Sequence, residues 1–194
     1  MSTLAELSLP RAVLVADTDG ADAGLAAAAL VATLAHAGTT VGSLRVDAGG
    51  EPVVRRAVTA VSADHDVLVI GAAAGLLVPL DARGGTLADV GTALRYKGVS
   101  TGAVLATTGG PAAPNVLALS AEALSRRELP VIGVIVVRAR HADGEATSPA
   151  RLAAAAGAPL LAVLSGDLAD ADPSSLGSQA ALGFSTDSWE TMTP

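Results

Sequence analysis

The chain of 194 residues carries a formal net charge of -7, no cysteine, 51% hydrophobic residues and only 2% aromatics. That balance excludes nucleic acid as a partner, because neutralising phosphates needs a basic face, and it excludes disulfides, thiolate nucleophiles and cysteine metal sites. A membrane is excluded as well: mean hydropathy is +0.51, yet the apolar stretches are broken by Gly, Asp and Arg and stay under the roughly 20 residues a spanning helix needs.

The length suits one domain with a core of Ala, Val and Leu. Residues 1–11 have neither a basic start nor a cleavable apolar core, so the expected location is the cytoplasm. In chain order the sequence predicts a strand at 11–16, a helix at 22–36, a strand at 40–46, a helix at 52–62 and a strand at 66–71. A helix at 86–96, a strand at 101–107, a helix at 112–127, a strand at 131–138, a helix at 148–156, a strand at 159–164 and a helix at 173–182 follow. Short β-branched runs alternating with Ala/Leu-rich stretches of helical length mark an α/β fold, a doubly wound, mostly parallel sheet with helices on both faces. The domain is expected to fill residues 1–182. A polar tail at 183–194 holds Phe184 and Trp189, which are expected to dock on the chain's own domain or on a second copy.

Sheets of this kind bind ligands at the carboxyl ends of their strands. The first loop there reads Asp17-Thr18-Asp19-Gly20-Ala21-Asp22-Ala23-Gly24-Leu25. A phosphate cradle would need converging glycine N–H groups, a lysine and a Ser/Thr hydroxyl; the single lysine of the chain, Lys97, has no glycine-rich loop before it. Asp17, Asp19 and Asp22 suit a divalent cation or an amine, or else Asp19 or Asp22 caps the next helix while the others face solvent. No metal is assigned.

The second loop offers Arg45, which can fork onto a carboxylate or pair with Asp47 or Glu51. The third, from Gly71 through Gly75 to Leu80, is small and apolar and shapes a pocket without supplying an acid or base. The fourth, Thr107-Thr108-Gly109-Gly110-Pro111-Ala112-Ala113-Pro114-Asn115, leads into a helix whose free N–H groups favour an anion such as a carboxylate. The expected site therefore has Asp17, Asp19 and Arg45 as catalytic groups. Thr18, Asp22, Gly75, Thr108, Gly109, Gly110 and Asn115 are its expected substrate contacts. His36, His65 and His141 lie far apart without metal-ligand spacing, and no serine sits in a nucleophile elbow.

Taken in order, these loops resemble the dethiobiotin synthetase family, ATP-dependent enzymes of biotin synthesis. Asp66-Val67-Leu68-Val69-Ile70-Gly71-Ala72-Ala73-Ala74-Gly75-Leu76-Leu77-Val78-Pro79-Leu80 looks like the family's D-x-x-L-V-E-G-A-G-G-L-L-V-P-L segment, and Thr86 to Asp89 matches the T-x-x-D after it. Gly110, Asn115, Leu119 and Glu122-Ala123-Leu124 fall in the register of its G-x-x-N-H-x-x-L-x-x-E-A-L helix. The departures cluster on the chemistry. The P-loop lysine and threonine are replaced by Gly24 and Leu25, the lysine of C-K-P-V by Arg45, and the glutamate of E-G-A-G-G by Gly71. The histidine after Asn115 is Val116, and the adenine-contacting asparagine is Val137.

In the family the fourth helix lies at a two-fold interface, and its start holds the substrate carboxylate of the neighbouring subunit. The resemblance thus implies a homodimer with a pocket for a small organic acid. Without the lysine and the magnesium hydroxyl, phosphoryl transfer lacks its electrostatic support, so no cofactor is expected. The leading expectation is a repurposed family member that works without ATP, by cyclisation, isomerisation or elimination. A non-catalytic partner or regulator of another protein is the alternative, and authentic dethiobiotin synthetase is the third.

Overall fold

Val13-Leu14-Val15-Ala16, Val67-Leu68-Val69-Ile70 and Ala103-Val104-Leu105-Ala106 are apolar at every position and almost wholly buried, as strands covered on both faces must be. The computed structural model describes residues 9–46, 51–138, 146–170, 176, 179 and 180. Within them the chain runs β1 (Ala12–Asp17), α1 (Ala23–His36), β2 (Val41–Arg45), α2 (Val53–Ala60), β3 (Val67–Gly75) and α3 (Leu87–Tyr96). It continues through β4 (Thr101–Thr107), α4 (Ala113–Ser125), β5 (Val131–Arg138), α5 (Pro149–Ala156), β6 (Leu160–Ser165) and a 3-10 turn at Gly166–Asp170.

The strands form one parallel sheet in the order β2-β3-β1-β4-β5-β6. Alternate residues feed two cores. Leu14, Leu68, Ile70 and Leu105 pack beneath α2, α3, α4 and α5, whereas Val13, Val15, Val69 and Val104 pack beneath α1. Small residues set the spacing of these layers. A Cβ at Gly91 of α3 would stand 2.7 Å from Leu14 Cδ1, so the helix approaches β1 more closely than a larger residue would allow.

Local chemistry sets the helix ends. Asp22 caps α1, and Thr86 and Asp89 form a reciprocal capping box on α3. Arg11 does similar work at the opposite edge: its guanidinium donates to the carbonyls of His65 (2.9 Å), Val61 (3.2 Å) and Ala63 (3.3 Å), tying the end of α2 to the start of β1.

One strand differs from expectation. β3 continues to Gly75 rather than ending at Gly71, because residues 72–74 bulge out between the pairs Val15–Gly71 and Asp17–Gly75 and the ladder then resumes. Alanines offer no turn signal there. The helix expected at 173–182 lies outside the described residues save Leu176, Gln179 and Ala180, which are helical. The tail at 183–194, Asp47 and His141 also lie outside them.

Candidate active site

β1 sits between β3 and β4, and its connection runs through α1 on one face while β4 leaves through α4 on the other. Connections diverging in this way open a crevice at the carboxyl ends of the two strands. Asp17 ends β1 there, and Thr107 ends β4.

Asp17 folds its own loop. Its Oδ1 accepts the N–H groups of Asp19 (3.1 Å), Gly20 (2.9 Å) and Ala21 (2.8 Å), a turn that Gly20 completes at φ 84°. Successive N–H groups converging on one point make an anion site, and here the anion is the chain's own carboxylate. Asp19 reaches across to β4. Its Oδ1 accepts the Thr108 N–H (2.8 Å), and its Oδ2 accepts the hydroxyls of Thr107 (3.0 Å) and Thr108 (2.7 Å). Thr18 donates its hydroxyl to the Ala106 carbonyl at 2.9 Å. Asp22 accepts the Leu25 N–H at 2.8 Å, the capping role considered for it. The three aspartates thus serve different partners, and among the described residues no three His, Asp or Glu side chains gather as a metal group.

Gly75 joins this crevice, since a Cβ on it would lie 3.5 Å from the Asp17 carbonyl. The loop after β4 is equally self-contained. Gly109 donates to Thr107 Oγ1 (3.2 Å) and Gly110 to Thr108 Oγ1 (3.3 Å). In the first turn of α4 the N–H of Ala113 bonds to the Gly110 carbonyl and that of Asn115 to the Ala112 carbonyl, while Pro114 has none to offer. The donors expected to hold an anion there are engaged by the loop itself, and a carboxylate would have to displace them. Asn115 is exposed. Thr147, beyond β5, latches onto this loop with its N–H to the Gly109 carbonyl (2.8 Å) and its hydroxyl to the Gly110 carbonyl (2.9 Å).

Arg45 lies elsewhere. A cavity of about 490 Å³ opens between the start of α1, the ends of β2 and β3, and Leu168 and Leu176. Asp22 and Arg45 line it; Asp17 and Asp19 do not. The Arg45 carbonyl accepts Arg56 Nη2 at 2.8 Å, which anchors its backbone to α2, and Glu51 pairs with Arg55 at 3.6 Å. Gly24, Leu25, Arg45 and Gly71, the positions that depart from the resembled P-loop and strand motifs, all line this one cavity. The expected site therefore divides into a hydrogen-bonded crevice around Asp17, Asp19, Thr108 and Gly109, and a lateral cavity holding Asp22 and Arg45.

Asp81 was not among the expected residues. It accepts the N–H groups of Val53 (2.9 Å), Arg83 (2.8 Å) and Gly85 (3.0 Å), stitching the start of α2 to the loop after β3. The Val53 bond, then that of Gly85, holds its carboxyl below the ordinary value of 3.8, with Arg83 adding to the effect against a partial opposing desolvation. The run Asp81-Ala82-Arg83-Gly84-Gly85 is the readable sign of such a turn. Thr107 and Thr147 carried no comparable local signal.

Residues 37–168 match the family model described as an AAA domain. The chain belongs to this AAA-domain family. Within it the chain is dethiobiotin synthetase-like. It is 39% identical over 142 residues to the ATP-dependent dethiobiotin synthetase BioD of Saccharopolyspora erythraea, a match covering 70% of this chain and 60% of that protein. It is 37% identical over 93 residues to the BioD of Streptomyces coelicolor, covering 46% and 37%. The chain thus spans less than two thirds of the length of these curated relatives.

Solved structures agree on the fold. The AAA-domain chain is similar to the 54 kDa signal recognition particle protein of Aeropyrum pernix, solved with GDP, at a TM-score of 0.55 and 20% identity over 87% of this chain and 42% of that one. A ParA family ATPase of Chlorobium tepidum gives 0.53 at 11% identity, with 94% and 96% covered. Chloroplast FtsY of Physcomitrella patens gives 0.53 at 15%, with 93% and 68% covered.

Proposed function

We propose that this dethiobiotin synthetase-like chain binds a small organic acid without using ATP and does so as a homodimer. One observation carries the reading: the N–H groups of Asp19, Gly20 and Ala21 converge on the Asp17 carboxylate, so the first loop offers a phosphate no vacant cradle. Gly24 and Leu25 stand where a lysine and a hydroxyl would be needed. Magnesium-ATP does not fit this loop, because a triphosphate would meet Asp17, Asp19 and Asp22 with no lysine to offset them.

The remaining groups support an organic acid. Arg45 is among the residues lining the cavity, and a guanidinium is a planar fork matched to a carboxylate. Any turnover would be a cyclisation, isomerisation or elimination, in which orientation and proton transfer suffice, with Asp17 and Asp19 the carboxylates at the crevice. On α4, Leu119 is 57% exposed one turn beyond Asn115, an apolar contact suited to a two-fold partner. The second reading, a non-catalytic partner or regulator, is favoured by the engagement of Asp17 and Asp19 in loop structure.

Calorimetric titration with magnesium-ATP, alongside native mass spectrometry of the freshly purified chain, tests the proposal. The expected outcome is no nucleotide heat and a dimer retaining a small acidic metabolite. Tight magnesium-ATP binding would overturn it.

A further inference from the structure

The end of β4 carries a more specific reading, which rests on the ATP-independent binding of an organic acid proposed above. Three donors converge there on the Asp19 carboxylate: the Thr108 N–H at 2.8 Å, the Thr107 hydroxyl at 3.0 Å and the Thr108 hydroxyl at 2.7 Å. Neither hydroxyl owes its direction to Asp19. Thr107 Oγ1 accepts the Gly109 N–H (3.2 Å) and Thr108 Oγ1 accepts the Gly110 N–H (3.3 Å), so each hydroxyl proton is turned away from its glycine and into the crevice. Thr147 holds the carbonyls of the same two glycines. Thr107 is fully buried, and its hydroxyl has no water to turn to, whereas Asp19 is only partly buried.

The receptor is therefore assembled by β4, the loop after it and Thr147, independently of the loop that carries Asp19. Its donors are divided as a planar carboxylate needs, the N–H on one oxygen and both hydroxyls on the other. Thr18 adds no donor, because its hydroxyl, 3.4 Å from Asp19 Oδ1, is given to the Ala106 carbonyl at 2.9 Å. We infer that these donors are a carboxylate-binding subsite which the chain closes with its own Asp19, an autoinhibitory contact that the carboxylate of an organic acid must displace. The subsite lies at the end of β4 and not at the start of α4, where the N–H groups are engaged within the loop. A tethered occupant competes at high effective concentration, so free carboxylates bind the parent weakly and bind more tightly once Asp19 is gone.

The test is thermal unfolding of the whole chain in sodium acetate against sodium chloride at equal ionic strength. The Tm of Asp19→Ala is expected to rise with acetate along a saturating curve, as binding to the folded state alone requires. The parent is expected to need at least about tenfold more acetate for the same shift. Asp19→Asn, which sets amide hydrogens against the two hydroxyls, is expected to respond as well, and adding Thr108→Val to Asp19→Ala is expected to remove the response. If Asp19→Ala is unfolded in chloride, the readout is recovery of its circular dichroism in acetate. Absence of an acetate response in both Asp19 variants would overturn the inference, as would an equal response to chloride or an undiminished response with Thr108→Val present. Magnesium-ATP, titrated against the parent, separates the two levels: nucleotide binding defeats the ATP-independent reading, whereas silence from both nucleotide and acetate defeats only the subsite.

Discussion

Asp19 and Thr108 are bonded twice, the Thr108 N–H to Asp19 Oδ1 at 2.8 Å and its hydroxyl to Oδ2 at 2.7 Å, although 89 positions separate them. The loops after β1 and β4 are therefore tied together, and Thr147, just before α5, bonds to the second of them. A crevice that hinged loops would leave adjustable is held in one geometry.

Breaking that link should cost stability. Asp19→Ala removes bonds to a charged acceptor and is expected to lower unfolding free energy by about 2–3 kcal/mol, and Thr107→Val by about 1 kcal/mol. In urea denaturation the double variant should fall short of the sum by at least about 0.5 kcal/mol, because both changes remove the same bond.

Asp81 makes the chain acid-sensitive at one identifiable place. Its folded carboxyl is held below 3.8 by the N–H of Val53, then by Gly85 and Arg83, so the stabilisation it contributes is complete above the unfolded value and is lost as pH falls through and below it. Asp81→Asn should be less stable than the parent at pH 6, and the gap should narrow at pH 3.5. Urea midpoints of both proteins at the two pH values check this; a gap that stays constant would contradict it.

Leu119 tests the proposed dimer. Leu119→Asp places a charge on the exposed face of α4 and, where that face is a two-fold contact, should shift sedimentation velocity from dimer to monomer with the far-ultraviolet circular dichroism unchanged.

Gly91 sets two known effects against each other. Alanine there gains about 1 kcal/mol of helix propensity. Its Cβ would stand 2.7 Å from Leu14 Cδ1 and 2.8 Å from Leu129 Cδ1, and forcing those side chains aside costs about 1–3 kcal/mol. Gly91→Ala should therefore lower thermal stability, with an expected net loss of about 1 kcal/mol.

The order of strands and helices was legible because each strand is an apolar run bounded by a turn. Thr101–Thr107 and Val131–Arg138 match expectation at both ends, the first preceded by Gly98 and Ser100 and the second by Pro130. The last residues of β3 were not legible, since a bulge of alanines carries the composition of a loop. Asp22 could be read as a capping carboxylate, because its partner Leu25 lies three residues on; Asp17, expected to be a catalytic group or to face solvent, instead accepts three N–H groups of its own loop. The bonding of Asp19 could not be read, because its partners are Thr107 and Thr108, 88 and 89 positions away, and nothing local announces them. The cavity escaped the sequence for the same reason. It is assembled from α1, β2, β3 and the segment after β6, and only the folded sheet brings Arg45 and Leu168 to one space.

The self-filled turn at Asp17 means that a phosphate could enter the first loop only by displacing the chain's own carboxylate. Placing a lysine at position 24 alone would set an ammonium beside donors that already have their anion, and removing Asp17 alone would free those donors with no cation beside them. Neither change alone is expected to improve phosphate binding, and a variant meant to hold a phosphate in this loop needs both together.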